Sequence, residues 1–98
     1  MSYSLQIKSS AAKDLEKIPK ADRHCHVQAF DRLPDAPLAG GTLKGEFGGL
    51  RRLRVGHYRV IYEVFERRLV VLVVRDANRR EAYRQLRRVR APGHGERA

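Results

Sequence analysis

The sequence predicts an α+β fold in which one helix layer packs on one sheet. Three observations point there. The chain opens with period-2 alternation, continues with two short helical patterns bounded by prolines, and then gives three strand patterns that end in the apolar run LVVLVV at 69–74. At 98 residues there is material for one core, so a single domain is expected over 1–90, with 91–98 as a flexible C-terminal tail.

Each element has its own justification. In SYSLQIK, residues 2–8, Tyr3, Leu5 and Ile7 alternate with polar neighbours, which predicts a half-buried first strand. The period then changes. Ala12, Leu15 and Ile18 are spaced for one helical face, Ser9 or Ser10 is available as N-cap, and Pro19 ends the helix or begins the next. From Lys20 to Leu33 the positions Val27, Phe30 and Leu33 recur at helical spacing, and Pro34 and Pro37 enforce a stop. Together these make a helical hairpin. The glycine-rich AGGTLKGEFGG of 39–49 reads as a loop; it lacks the Gly-Lys-Ser/Thr ending of a P-loop. Strands are expected at 50–55, 58–66 and 68–75, joined by tight turns at Gly56-His57 and around Arg67-Arg68, so they form a meander. LVVLVV is apolar on both faces and suits a central strand covered by helices on one side. Ala82, Leu86 and Val89 mark one face of a short C-terminal helix over about 79–90.

Charge narrows the function. The net charge is +10, and it is unevenly placed: residues 1–43 hold 6 Lys and Arg against 5 Asp and Glu, whereas residues 44–98 hold 15 against 6. Such a field attracts polyanions, nucleic acid foremost. No apolar run approaches the roughly 20 residues of a membrane span. The opening MSYSLQIKSS lacks the basic and then apolar pattern of a secretory signal, and the lone Cys25 has no internal partner, so a cytoplasmic location is expected. Cys25 lies between His24 and His26, but adjacent helical residues diverge and no second cluster supplies further metal ligands.

The charges also have a direction. In LRRLRVGHYRVIY, residues 50–62, alternation puts Arg52 and Arg54 on one face and Arg51, Leu53 and Val55 on the other; a register shift of one residue would make Arg51 the competing candidate. Arg59 shares the Arg52/Arg54 face if the hairpin register allows it. Helical spacing aligns Arg79, Tyr83 and Arg87, a phenol between guanidiniums. Ordinary solvated surface charge would mix signs here. Arginine rather than lysine suits bidentate recognition of phosphate, and a tyrosine among arginines can stack on a base or lose its proton more readily.

LKGEFGGLRRLRVGHYRVIYEV, followed by VVLVVRDANRREAY, resembles the RelE/ParE superfamily of toxins from toxin–antitoxin modules, and the RelE branch in particular. The Leu-Lys-Gly of 43–45, the Arg-x-Arg-Val-Gly-x-Tyr-Arg-Val-Ile-Tyr of 52–62 and the Arg-Arg-Glu-x-Tyr of 79–83 stand in the family's order, and the likeness runs from about residue 3 to 88. It implies a helical hairpin on a twisted antiparallel sheet of about four strands, with a short C-terminal helix. It also implies an endoribonuclease that cuts mRNA in the ribosomal A site with neither metal nor other cofactor, through attack of the 2′-hydroxyl on the adjacent phosphate. Carried over by position, the catalytic set is Arg52, Arg54, Arg59, Arg79 and Tyr83, with Lys44, Arg51, Arg75, Arg80 and Arg87 as further RNA-binding cations. The implied partners are a cognate antitoxin protein, RelB-like or of another family, in a hetero-oligomer, and the ribosome with its mRNA. The alternative is a ParE-like toxin that inhibits DNA gyrase by binding, without cleaving RNA.

Overall fold

Strands β1 (Ser4–Ile7), β2 (Gly41–Thr42), β3 (Leu50–Val55), β4 (Tyr58–Phe65) and β5 (Val70–Asn78) form one sheet in the order β1-β5-β4-β3-β2. The computed structural model describes residues 3–43 and 48–78, and the statements below concern those residues. Helices α1 (Ser9–Lys17) and α2 (Lys20–Arg32) form the hairpin between β1 and β2. The predicted α+β class and the β3-β4-β5 meander are present, with β3 on its expected bounds and β5 displaced two to three residues along the chain.

Two features of the sheet differ from expectation. First, β1 pairs with β5 in parallel, Ser4 opposite Val70 through Ile7 opposite Val73, so the sheet is mixed though mostly antiparallel. The helical hairpin supplies the crossover that a parallel pair requires. Alternation reports burial on one face and carries no strand direction. Second, the glycine-rich loop contains a fifth strand, Gly41 and Thr42 against Arg52 and Arg51. It is held at Gly40. The Gly40 amide donates to the Tyr62 hydroxyl at 2.9 Å, that hydroxyl donates to the Pro37 carbonyl at 2.9 Å, and Arg51 Nη1 donates to the Gly40 carbonyl at 2.7 Å. A Cβ on residue 40 would run into the Arg52 carbonyl and stand 2.7 Å from the Tyr62 hydroxyl, so only glycine allows this close approach.

The main core lies between helices and sheet. Ala11, Phe30 and Leu33 pack on Val60, Tyr62, Val71 and Val73, with Leu5, Leu15, Leu53 and Val55 at the margin. In the helices Ile18, Phe30 and Leu33 are buried as expected, but two positions differ. Ala12 is exposed while Ala11 and Asp14 are buried, and Val27 is 40% exposed while His26 is buried. An apolar-in reading errs here because two polar residues take core positions. Neither serine caps α1: Lys8 occupies the N-cap position, and Ser10 Oγ instead donates to the Val74 carbonyl at 2.8 Å, tying the helix to β5. At the other end of α1, Arg23 of α2 donates to the carbonyls of Glu16 and Ile18 at 3.1 and 3.0 Å, a cation satisfying C-terminal acceptors.

A bulge in β5 shapes the far side of this layer. Ile61 pairs with Arg75, but Tyr62 pairs with Val73, leaving Val74 as the extra residue. Arg75 and Asp76 consequently both engage the helices. Arg75 Nη2 bonds Asp14 Oδ1 at 2.9 Å, Asp14 Oδ2 accepts from the Asp76 amide at 3.0 Å, and Asp76 Oδ2 lies 2.6 Å from His26 Nδ1. The opposite sheet face carries a smaller apolar cluster of Leu43, Leu50, Ile61, Val74 and Ala77.

Candidate active site

The site is built by the β3-β4 hairpin. Its two-residue turn places Gly56 at φ 59°, left-handed backbone that glycine adopts without strain, and so closes the strands in one register. In that register Arg54 stands directly opposite Arg59, and Arg52 opposite Ile61. Alternation therefore puts Arg52, Arg54 and Arg59 on the face away from the helices, at the border of the Leu50/Ile61 cluster. Arg52 and Arg54 are exposed; Arg59 is half-buried, and its Nε is buried without a hydrogen-bond partner. Two like charges directly opposite in an antiparallel pair destabilise it by on the order of 0.2–1 kcal/mol, and an anion placed between them reverses the sign. A cleft of about 130 Å³ opens there, lined by Arg54, Gly56, His57, Tyr58 and Arg59. Among the described residues of the β3-β4 pair, the carboxylate on this face is Glu63, opposite Leu50 toward the other end of the strands.

Other sequence-derived candidates fall elsewhere. Arg51 turns to the helix side and clamps the Gly40 carbonyl, so the competing register is not adopted. Arg75 corrects an expectation: its side chain is 13% exposed and paired with the buried Asp14, because the bulge turns it toward α1. Its geometry is that of a strut between sheet and helix. Lys44, Arg79, Arg80, Tyr83 and Arg87, with the expected C-terminal helix and tail, lie outside the described residues.

Three features escaped the sequence reading. His57, in sequence a turn residue, lines the same cleft as Arg54 and Arg59 and also the groove on the helix side. Tyr62 is a wholly buried anchor for the 37–42 loop; burial pushes its phenol above the usual range, with the Gly40 hydrogen bond and Arg51 opposing. His26 diverges from exposed Cys25 and meets Asp76 in the interior, its ring edge-on to Tyr58 with centroids 4.8 Å apart. Burial pushes the Asp76 carboxyl up, and the His26 hydrogen bond pulls it part of the way back. Among the described residues no group of three or more His, Cys, Asp and Glu is placed to hold a metal ion, and no helix is long and apolar enough to cross a membrane.

Known proteins share this chain's sequence and fold. Residues 5–83 match the family model described as the ParE toxin of the type II toxin–antitoxin system parDE. The chain is 31% identical to Toxin RelG of Mycobacterium tuberculosis over 87 residues, covering 87% of this chain and 100% of that protein. It is 32% identical to Toxin RelE of the same organism over 84 residues, covering 84% and 87%. Among solved structures, the toxin–antitoxin complex RelBE2 of M. tuberculosis superposes with a TM-score of 0.74 at 30% identity, covering 81% of this chain and 93% of that one. The archaeal RelE–RelB complex of Pyrococcus horikoshii gives 0.69 at 30%, covering 81% and 97%. The fold also matches a double arginine-to-alanine mutant of E. coli RelE in the free state, with a TM-score of 0.72 at 23% identity, covering 91% and 99%. The chain belongs to the RelE/ParE superfamily of type II toxin–antitoxin toxins, on its RelE-like branch.

Proposed function

We propose that this toxin is a metal-independent endoribonuclease that acts in the cytoplasm, cutting mRNA in the ribosomal A site and so stopping translation. The observation that carries the reading is the Arg54–Arg59 pair, two guanidiniums face to face with Arg52 on the same side. Attack of a 2′-hydroxyl on the adjacent phosphate passes through a phosphorane more negative than the diester. Guanidiniums already in place bind that state preferentially, and one such donor is worth about 2.7–4 kcal/mol. Arginine keeps its proton under all ordinary conditions and cannot act as the base. Tyr83, its phenol flanked in sequence by arginines, is assigned to take the 2′-proton. Arg79 completes the cationic set.

The partner proposed is an antitoxin, as in the RelE–RelB complexes of the relatives. An acidic segment on it would associate quickly with a +10 chain and cover the arginines. Sequencing the 5′ ends of cellular mRNA after brief induction tests the function: in-frame cuts within coding regions are expected. The matching family model bears the ParE name, which favours a second reading, inhibition of DNA gyrase by binding. DNA breaks with intact mRNA would establish that one instead.

A further inference from the structure

Arg54 and Arg59 give the cleft cations to hold a phosphate, and neither guanidinium can protonate what leaves. When the P–O5′ bond breaks, an alkoxide departs that is far more basic than water at neutral pH, and it needs a proton. Arg54 and Arg59 cannot release one. His57 lines the same cleft, at the turn that fixes their register, and imidazole is the side chain whose charge changes between pH 5 and 8. His57 stands at the hairpin tip, where it borders both this cleft and the groove on the helix side with Asp22, Cys25 and His26. The residue is exposed.

We propose that His57 is the general acid of this cleavage, an inference that rests on the endoribonuclease reading. The 2′-oxygen bonds to phosphorus and its proton passes to the base assigned to Tyr83. The P–O5′ bond breaks, and imidazolium His57 gives its proton to the departing 5′-oxygen. The products are a 2′,3′-cyclic phosphate and a 5′-hydroxyl, and both side chains return to their starting protonation by exchange with water. Arg54 and Arg59 hold the nonbridging oxygens throughout, which keeps the leaving oxygen at the hairpin end where His57 stands.

A sulfur substitution separates this role from a structural one. Thiolate is a good leaving group and needs no acid, so ribosomes are programmed with mRNA carrying a 5′-bridging phosphorothiolate at the mapped cut, alongside the ordinary message. On the oxygen substrate, His57→Gln should lower single-turnover cleavage by about 10²-fold or more, and the alkaline limb of its pH profile should vanish. On the sulfur substrate the variant should cut at close to the wild-type rate. Equal losses on both substrates would overturn the acid role and point to binding or to base chemistry, and no loss on either would remove His57 from the reaction. If the wild-type toxin cuts neither message, the endoribonuclease reading itself fails and the proposal falls with it. Gln keeps the bulk of the side chain at an exposed turn position, and a matching thermal melt for the two proteins confirms that the comparison is between folded species.

Discussion

Arg54 is a residue whose charge works against its own strand. Facing Arg59, it is expected to weaken the hairpin and to bind phosphate for the same reason. Arg54→Gln keeps the aliphatic stem and removes the repulsion, so its melting temperature in low salt should rise while cleavage falls by about 10²-fold. A variant that loses both stability and activity would show that the arginine packs rather than binds. Arg59→Lys keeps charge and loses the planar fork, and a similar fall in single-turnover rate with mRNA binding little changed is expected. Arg51→Ala should instead act on stability, since Arg51 serves Gly40. Asp76 gives a pH signature. Its folded carboxyl holds a proton to higher pH than the unfolded chain, whose value is near 3.8. Over that interval the folded state binds more protons, so this group's contribution to stability falls as the pH rises. Urea melts of wild type and Asp76→Asn across acid to neutral pH should give a stability difference that shifts against the wild type as pH increases; a constant difference would mean that another group titrates.

At the scale of elements, strands were easier to read than their supports. The alternation of Leu53, Val55, Val60 and Tyr62 identifies the helix-facing side because these positions are apolar while Arg52, Arg54 and Arg59 fall on the other. The arginine face followed from the same alternation, and the hairpin turn followed from Gly56. On the helices Ile18, Phe30 and Leu33 are interior as their spacing indicates, whereas Asp14 and His26 are interior through partners 62 and 50 residues away, which no local window contains. Strand β2 was invisible for a related reason: two residues have no period, and their place depends on Tyr62 reaching Gly40 across the sheet edge. That anchor is testable. Tyr62→Phe leaves a buried amide and a carbonyl without their partner and should cost about 1–3 kcal/mol in chemical denaturation. Gly40→Ala forces backbone apart and should cost about as much, with hydrogen exchange at β2 rising first.

For the molecule as a whole, the two sheet faces divide the labour. One is occupied by the helical hairpin and sets stability; the other carries Arg52, Arg54 and Arg59 beside a small apolar cluster. The +10 charge belongs to this scale, because it acts before contact. The rate of association with an acidic antitoxin should fall steeply as salt rises while dissociation changes little, which stopped-flow mixing at several ionic strengths would read directly. An association rate indifferent to salt would mean that apolar docking, rather than the field, brings the partners together.

The parallel pairing of β1 with β5 also sets a timetable. Ser4 leaves the ribosome 66 positions ahead of its partner Val70, so the first strand waits through both helices and three strands before it finds its place. Contacts this distant in sequence close late and slowly. The β3-β4 hairpin can form early, but β4 lies between β3 and β5 and lacks its second neighbour until β5 has emerged. A nascent chain therefore holds Arg52, Arg54 and Arg59 on an unfinished sheet until β5 has emerged.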